Sequence, residues 1–124
     1  MILLDTDVLI EIFDKKSQKG EQALTRIEQS GEDIAIASLS LHEIIYGLYK
    51  YGKKKVSDVE KLETIEFCKE DALLSATLEL EAEQKGYRIS RIDAMIAAIA
   101  INRKAKLFTF NQKHFQAIPK LSLF

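Results

Sequence analysis

The sequence predicts an α/β domain in which a small parallel sheet of four to five strands is flanked by helices on both sides. Three observations carry that expectation. Short apolar runs of strand length recur along the 124 residues, each gives way to a stretch with helical apolar spacing, and the runs stop abruptly on a polar residue. A chain of this size buries roughly two-thirds of its extended surface, enough for a core without staples. Residues 1–124 therefore read as a single domain, and neither a repeat nor a Pro/Gly/Ser-rich linker divides them.

Residues 1–4 form the first apolar run, closed by Asp5, and residues 34–37 the second, closed by Ser38. Both are expected to be buried strands feeding helices. Residues 64–68 are a weaker third candidate. Residues 106–110, rich in aromatic and aliphatic side chains, make a fourth strand ending at Asn111. Between them the apolar period lengthens: Leu9, Ile12 and Phe13, then Ala23, Leu24 and Ile27, then Leu41, Ile44, Ile45 and Leu48 each fall on one helical face. Asp71 suits the N-cap of a helix through Leu74, Leu78 and Ala82 that stops before Gly86. Ser90 opens another, with Ile92, Met95, Ile96 and Ile99 on one face. Its Ala94, Ala97, Ala98 and Ala100 keep it slim enough to approach the sheet or a second helix closely.

Composition narrows the function classes. Lys and Arg total 18 against 19 Asp and Glu, a formal charge of −1, so no global field draws the protein to nucleic acid and any such attraction must be local. Cys68 is the only cysteine, which excludes an internal disulfide and a thiolate zinc site within one chain. His42 and His114 lie too far apart to supply a recognisable zinc spacing, and His42 is expected to serve packing or surface hydrogen bonding. The longest apolar stretches, such as residues 96–101, are far too short to span a bilayer, and no basic leader precedes the first strand. The expectation is a cytoplasmic protein with no membrane partner.

The acids fall in a pattern. Asp5 closes the first strand, Asp7 stands in the turn that follows, Glu43 lies about a turn into the helix after the second strand, and Asp93 is in the first turn of the alanine-rich helix; Asn111 follows the last strand. In a parallel sheet these places share one edge, where ligands of open α/β sheets bind. Two carboxylates about 5 Å apart repel by roughly 3 kcal/mol at an effective dielectric near 20. A hard divalent cation relieves that repulsion: Mg²⁺ or Mn²⁺ takes one or two carboxylates, keeps several waters and accepts phosphate oxygens. The competing explanation is local. Ser40 and Glu43 fit an S-x-x-E capping box, and Ser90 and Asp93 the looser [ST]-x-x-[DE] form, so each acid could simply cap its helix. Asp5 is least well explained that way, because an aspartate closing a buried strand runs against β propensity.

Four blocks carry a family resemblance: residues 3–10 (LLDTDVLI), 38–47 (SLSLHEIIYG), 93–100 (DAMIAAIA) and 107–115 (LFTFNQKHF). In order and spacing the chain resembles the PIN-domain ribonucleases, especially the short VapC-like toxins of toxin–antitoxin pairs, over essentially its whole length. The resemblance implies a PIN-like fold and a Mg²⁺- or Mn²⁺-dependent endoribonuclease acting on RNA. It also implies a homodimer, and a cognate antitoxin whose C-terminal segment occupies the acidic groove. Asp5, Glu43 and Asp93 fall on the family's three principal acids and become the implied metal ligands. The fourth acid of such families lies either at Asn111 or at His114, and neither is a carboxylate here. Asn111 still offers a carbonyl oxygen, and Asp7, where the family often has Asn, offers a compensating carboxylate.

Thr6 and Thr109 flank the acids and can donate to carboxylate or phosphate, or merely satisfy turn backbone. Arg91 and Arg88, beside Asp93, are candidates for substrate contact. Lys53, Lys54 and Lys55 suit either an RNA backbone or a solvated helix start, and Tyr46, Tyr49 and Tyr51 suit stacking or ordinary packing. Rival chemistries fit less well. Asp5-Thr6-Asp7 is similar to the D-x-D-x-[TV] opening of haloacid-dehalogenase phosphatases, but Leu9 holds the Thr/Val position and no Asp-Asp pair follows; a response-regulator receiver lacks its acidic pair as well. A degenerate PIN domain that binds RNA or protein without cutting is the alternative from another class, supported by the missing fourth acid.

Overall fold

Apolar residues at 2–4, 34–37 and 107–108 alternate between the two faces of a sheet that is covered on both. In the computed structural model, which describes residues 1–124, these runs form β1 (Ile2–Leu4), β2 (Ile34–Ala37) and β4 (Lys106–Phe108), with a two-residue β3 (Thr64–Ile65) at the edge. All pairs are parallel and the order is β3-β2-β1-β4. Leu4 stands beside both Ile36 and Phe108, so the central strands end level with one another. An isolated parallel bridge from Leu107 to Leu123 lays the C-terminal residues along the β4 edge.

Helices α1 (Thr6–Leu9), α2 (Gln18–Ser30), α3 (Ser38–Lys50) and α4 (Ser57–Glu60) contribute to one face, where Ile2, Leu4, Ile36 and Phe108 meet Val8, Leu9, Ile27, Ile44 and Val59. Helices α5 (Lys69–Gln84) and α6 (Arg91–Asn102) cover the other, where Leu3, Ala35, Ala37 and Leu107 meet Leu78, Ile96 and Ile99. The expected two-sided α/β architecture is present. Between α1 and α2 the chain winds through a π-helical turn, Ile10–Asp14. Gly20 sits so close to it that a Cβ there would collide with the Glu11 carbonyl. The alanines of α6 are fully buried, and the slim helix packs against both the sheet and α5. No helix is long and apolar enough to cross a membrane.

Three boundaries differ from expectation. The last strand ends at Phe108 because the Phe110 N–H donates to the Asp7 carboxylate (3.0 Å) and the Asn111 N–H to the Thr109 hydroxyl (3.1 Å), so side chains capture the groups that would continue the ladder. The third strand stops at Ile65 rather than residue 68, because Cys68 already serves as the N-cap of α5. Asp71 is therefore not the N-cap but the third residue of that helix, and it reaches back to accept from the Cys68 N–H at 3.0 Å.

Asp71 does more than close a helix turn. Fully buried, it also accepts from Asn102 (2.8 Å) and Arg103 (3.2 Å) at the end of α6, joining the start of α5 to the helix that carries Asp93. Burial works to raise its pKa, but the bonds from Asn102, Cys68 and Arg103 outweigh that and hold it below the ordinary carboxylate value. Breaking a buried pair by removing one partner costs about 3–5 kcal/mol, and the partly exposed guanidinium of Arg103 recovers some hydration. Asp71→Ala is accordingly expected to lower unfolding free energy by about 3 kcal/mol in urea titration; a change within about 0.5 kcal/mol, the ordinary scatter of surface substitutions, would count against this linking role.

Candidate active site

The level ends of β1, β2 and β4 put Asp5, the first turn of α3 and Thr109 at one edge, and α6 presents its own first turn there. Asp5, Thr6, Asp7, Glu43, Asp93 and Asn111 all line a single open groove of about 500 Å³, together with Ile10, Ser90, Ile92 and His114. The three principal acids thus meet in one place. Arg91 does not join them: its guanidinium turns away to Glu79 on α5 (Nε to Oε1 3.2 Å) and lines a different hollow, so the expected substrate contact is replaced by an interhelical ion pair.

Asp5, Asp7 and Glu43 are held by neutral donors. Asp5, 8% exposed, caps α1 through the Thr6 N–H (2.8 Å) and accepts from the Thr109 hydroxyl (2.9 Å), which is itself 3% exposed. Asp7 accepts from the Phe110 N–H through one carboxylate oxygen, while the other, Oδ1, is buried with no partner. Glu43 accepts from the Thr6 hydroxyl at 3.2 Å. Asp93 stands 3.5 Å from His114 Nδ1, an ion pair only when the imidazole is protonated. No lysine or arginine lies within salt-bridge distance of any of the four.

The capping explanation fails for Glu43 and half-succeeds for Asp93. Helix α3 begins at Ser38 with Ala37 as N-cap, so Ser40 lies inside the helix, its hydroxyl buried and unpartnered, and no capping box forms. Ser90 does cap α6 by accepting from the Asp93 N–H at 3.0 Å. The Asp93 carboxylate makes no reciprocal bond and stays in the groove. His114 is the residue whose place in the groove sequence reasoning did not expect: its sequence suggested neither a zinc spacing nor a fourth acid, and the short 3-10 turn Gln112–Phe115 that aims it at Asp93 leaves no periodic signal.

Burial is the largest influence on Asp5, followed by repulsion from Asp7; the Thr109 and Thr6 bonds oppose them, Asp93 adds to them, and the carboxyl is pushed up to about 6. Burial also raises Asp7. An unpartnered buried carboxylate oxygen beside a raised aspartate is the mark of a site short of positive charge. The donor set is all oxygen, which suits Mg²⁺ or Mn²⁺ and not zinc. No three of these side chains stand together at metal-ligating spacing, so a cation here would take one or two carboxylates directly and reach the rest through water, the ordinary habit of Mg²⁺.

An α/β domain with a carboxylate-lined groove at the sheet edge is the class of protein that these features define. The chain belongs to the PIN domain family, which it matches over residues 2–121. It is 33% identical to Ribonuclease VapC2 of Rickettsia felis, across 98% of this chain and 94% of that protein. Among solved structures it is similar to VapBC2 from Rickettsia felis bound to a promoter DNA fragment (TM-score 0.80, 32% identity, 100% of this chain and 98% of that one). It is also similar to a toxin–antitoxin complex from Klebsiella pneumoniae (TM-score 0.80, 27% identity, 98% and 95%).

The Asp5 shift has a definite sign. The unfolded chain ionises near 3.8 and the folded one near 6, so the ionised carboxylate opposes folding; the penalty is absent below about pH 4 and complete above pH 6. Two units amount to about 3 kcal/mol. In metal-free buffer Asp5→Asn is therefore expected to be more stable than the parent by up to about 3 kcal/mol at pH 7.5, with the difference gone by pH 4. Chemical denaturation at the two pH values measures this, and a gap that does not change with pH would refute it.

Proposed function

We propose that this chain is a metal-dependent endoribonuclease that hydrolyses RNA phosphodiester bonds, the toxin of a VapBC-type pair. The observation that carries the reading is the meeting of Asp5, Glu43 and Asp93 in one groove with no lysine or arginine to neutralise them. Named relatives that are ribonucleases and toxin–antitoxin complexes support it. Asp5, Glu43 and Asp93 are the residues to hold Mg²⁺ or Mn²⁺. When bound, such a cation supplies Lewis acidity toward a phosphate oxygen and a water acidic enough to ionise near neutral pH.

The chain's own contributions are orientation and proton handling. Thr109 fixes the rotation of the Asp5 carboxylate, and Thr6 does the same for Glu43. Asp7, by tying down the Phe110 N–H, keeps Thr109 and Asn111 against the groove. The Asn111 side chain makes no hydrogen bond within the protein, which leaves its amide for a water or a phosphate oxygen. His114 sits where a proton can be passed to a leaving oxygen. The partners in this reading are RNA, an antitoxin that closes the groove, and a second copy of the chain. Self-association is supported by Leu73 and Leu80, two turns apart on one face of α5 and 65% and 54% exposed.

Asp5→Asn or Asp93→Asn is expected to cut RNA cleavage by more than about 100-fold, the most that loss of an outer partner alone would cost, with the fold retained. Gel analysis of labelled RNA in Mn²⁺ reads the loss, and circular dichroism the fold. Unfolded variants would restore the capping explanation, and a parent that binds RNA without cutting it would support the degenerate-domain alternative. Mg²⁺ or Mn²⁺ at a hundredfold excess over Kd is expected to add about 2.7 kcal/mol to folding stability; identical melts in Mg²⁺ and EDTA would remove the metal from the proposal.

A further inference from the structure

The acid groove repels phosphate, and the chain as a whole carries a charge of −1, so an RNA substrate must be held by cations somewhere else. The structure gathers four of them. Lys16, Lys53, Lys54 and Lys55, from two separate segments, line one hollow of about 430 Å³ floored by Phe13 and Leu48. The only carboxylate there, Asp14, is already paired with Lys53, and Asp58 belongs to the adjoining hollow. Lys16, Lys54 and Lys55 have no carboxylate within salt-bridge distance.

Helix α3 connects this hollow to the groove. Glu43, Tyr46 and Lys50 fall at i, i+3 and i+7, one helical face that runs about 10 Å from the acids toward the lysines. On it the His42 and Tyr46 rings lie parallel, 5° apart in plane and 6.3 Å between centroids, with the Lys50 ammonium 6.0 Å from the Tyr46 ring. Tyr46 is 59% exposed, an aromatic face left in water with nothing in the fold to cover it. Aromatic rungs beside unpaired cations suit single-stranded nucleic acid, whose bases are free to stack while its phosphates are neutralised; a duplex has no base face to offer.

Resting on the ribonuclease reading, we propose that single-stranded RNA leaves the acid groove along α3, with bases against the His42 and Tyr46 rings and phosphates on Lys50 and the lysine hollow. The hollow anchors the strand at a distance from the scissile bond, so it acts on RNA long enough to reach it and not on the shortest substrates.

The test uses the full chain carrying Asp5→Asn, so that RNA is bound without being cut, with fluorescence anisotropy of labelled mixed-sequence RNAs of 4 and 12 nucleotides over a range of salt. Lys54→Ala with Lys55→Ala is expected to weaken 12-mer binding by about 10-fold or more and to make the log–log salt slope shallower by about 1.4, two phosphate contacts at about 0.7 each on single strands. Replacing both with Arg should leave the slope unchanged. Tyr46→Ala is expected to cost about 10-fold with no change of slope. The lysine variants should weaken 4-mer binding less than 12-mer binding, whereas Tyr46→Ala, one turn from Glu43, should weaken both. Failure of the 12-mer to bind, or variants that bind it like the parent with the same slope, overturns the track. So does a labelled glutamate-rich peptide that binds the parent and is lost by the lysine variants while their 12-mer binding is unchanged, which would make the hollow a protein-docking site. Cleavage by the chain with Asp5 intact, in Mn²⁺, tests the ribonuclease reading separately. Cutting with normal binding by the lysine and tyrosine variants sinks the track alone, and altered binding without cutting sinks the chemistry alone.

Discussion

The buried Thr109 hydroxyl donates to the Asp5 carboxylate across 104 residues of chain, at the floor of the groove. That bond joins the exits of the two adjacent strands β1 and β4, and the Asp5 N–H completes the link by donating to the Phe108 carbonyl at 2.9 Å. Everything at the sheet edge takes its position from this junction. Asp5 is aimed by it, Asp7 is drawn in to accept from Phe110, and the chain leaves β4 on a path that carries Asn111 and His114 past the same groove.

The junction is made with neutral donors, and energetically that is its weakness. A hydrogen bond from a hydroxyl or a backbone N–H contributes about 0.5–1.5 kcal/mol net. The raised pKa of Asp5 corresponds to a larger deficit, about 3 kcal/mol. A lysine in place of Thr109 or Thr6 would relieve the repulsion by pairing with the Asp5 or Glu43 carboxylate, leaving no charge deficit for a cation to meet. The groove keeps its electrostatic load, and the rest of the fold carries it; the Asp71 cluster on the far side of the sheet shows that this chain pairs a buried aspartate with arginine and asparagine where no ligand is needed. Of two buried aspartates in one small protein, Asp71 is saturated with donors and Asp5 is left short of them.

Strand ends and helix starts were legible wherever apolar runs were long and their termini chemical: Asp5, Ser38 and Ser90 fall at the boundaries that the sequence marks. The convergence of Asp5, Glu43 and Asp93 was legible too, because a parallel sheet leaves its carboxyl ends one place to be. Tertiary hydrogen bonds escaped. Phe110 reads as strand until the Asp7 carboxylate takes its N–H, and Asp71 reads as an N-cap until Cys68 takes that place and Asn102 and Arg103 arrive from α6. Arg91 was credited by proximity in sequence, but the helical rotation from Asp93 turns it toward α5 and Glu79.

Parallel topology also sorts the charges. Asp5, Asp7 and Asp93 sit at the amino ends of helices, where unpaired backbone N–H groups supply the only fixed positive potential the groove has. Lys50 lies in the last turn of α3, where exposed carbonyls favour a cation, and Lys53 follows a turn later. Because β1 and β2 point the same way, α1 brings Asp7 and α3 brings Glu43 to the same edge, and α3 carries Lys50 away from it. A protein of nearly zero net charge is thereby split into an acid end at the groove and a basic end at the lysine hollow. The length of α3 sets the distance between them.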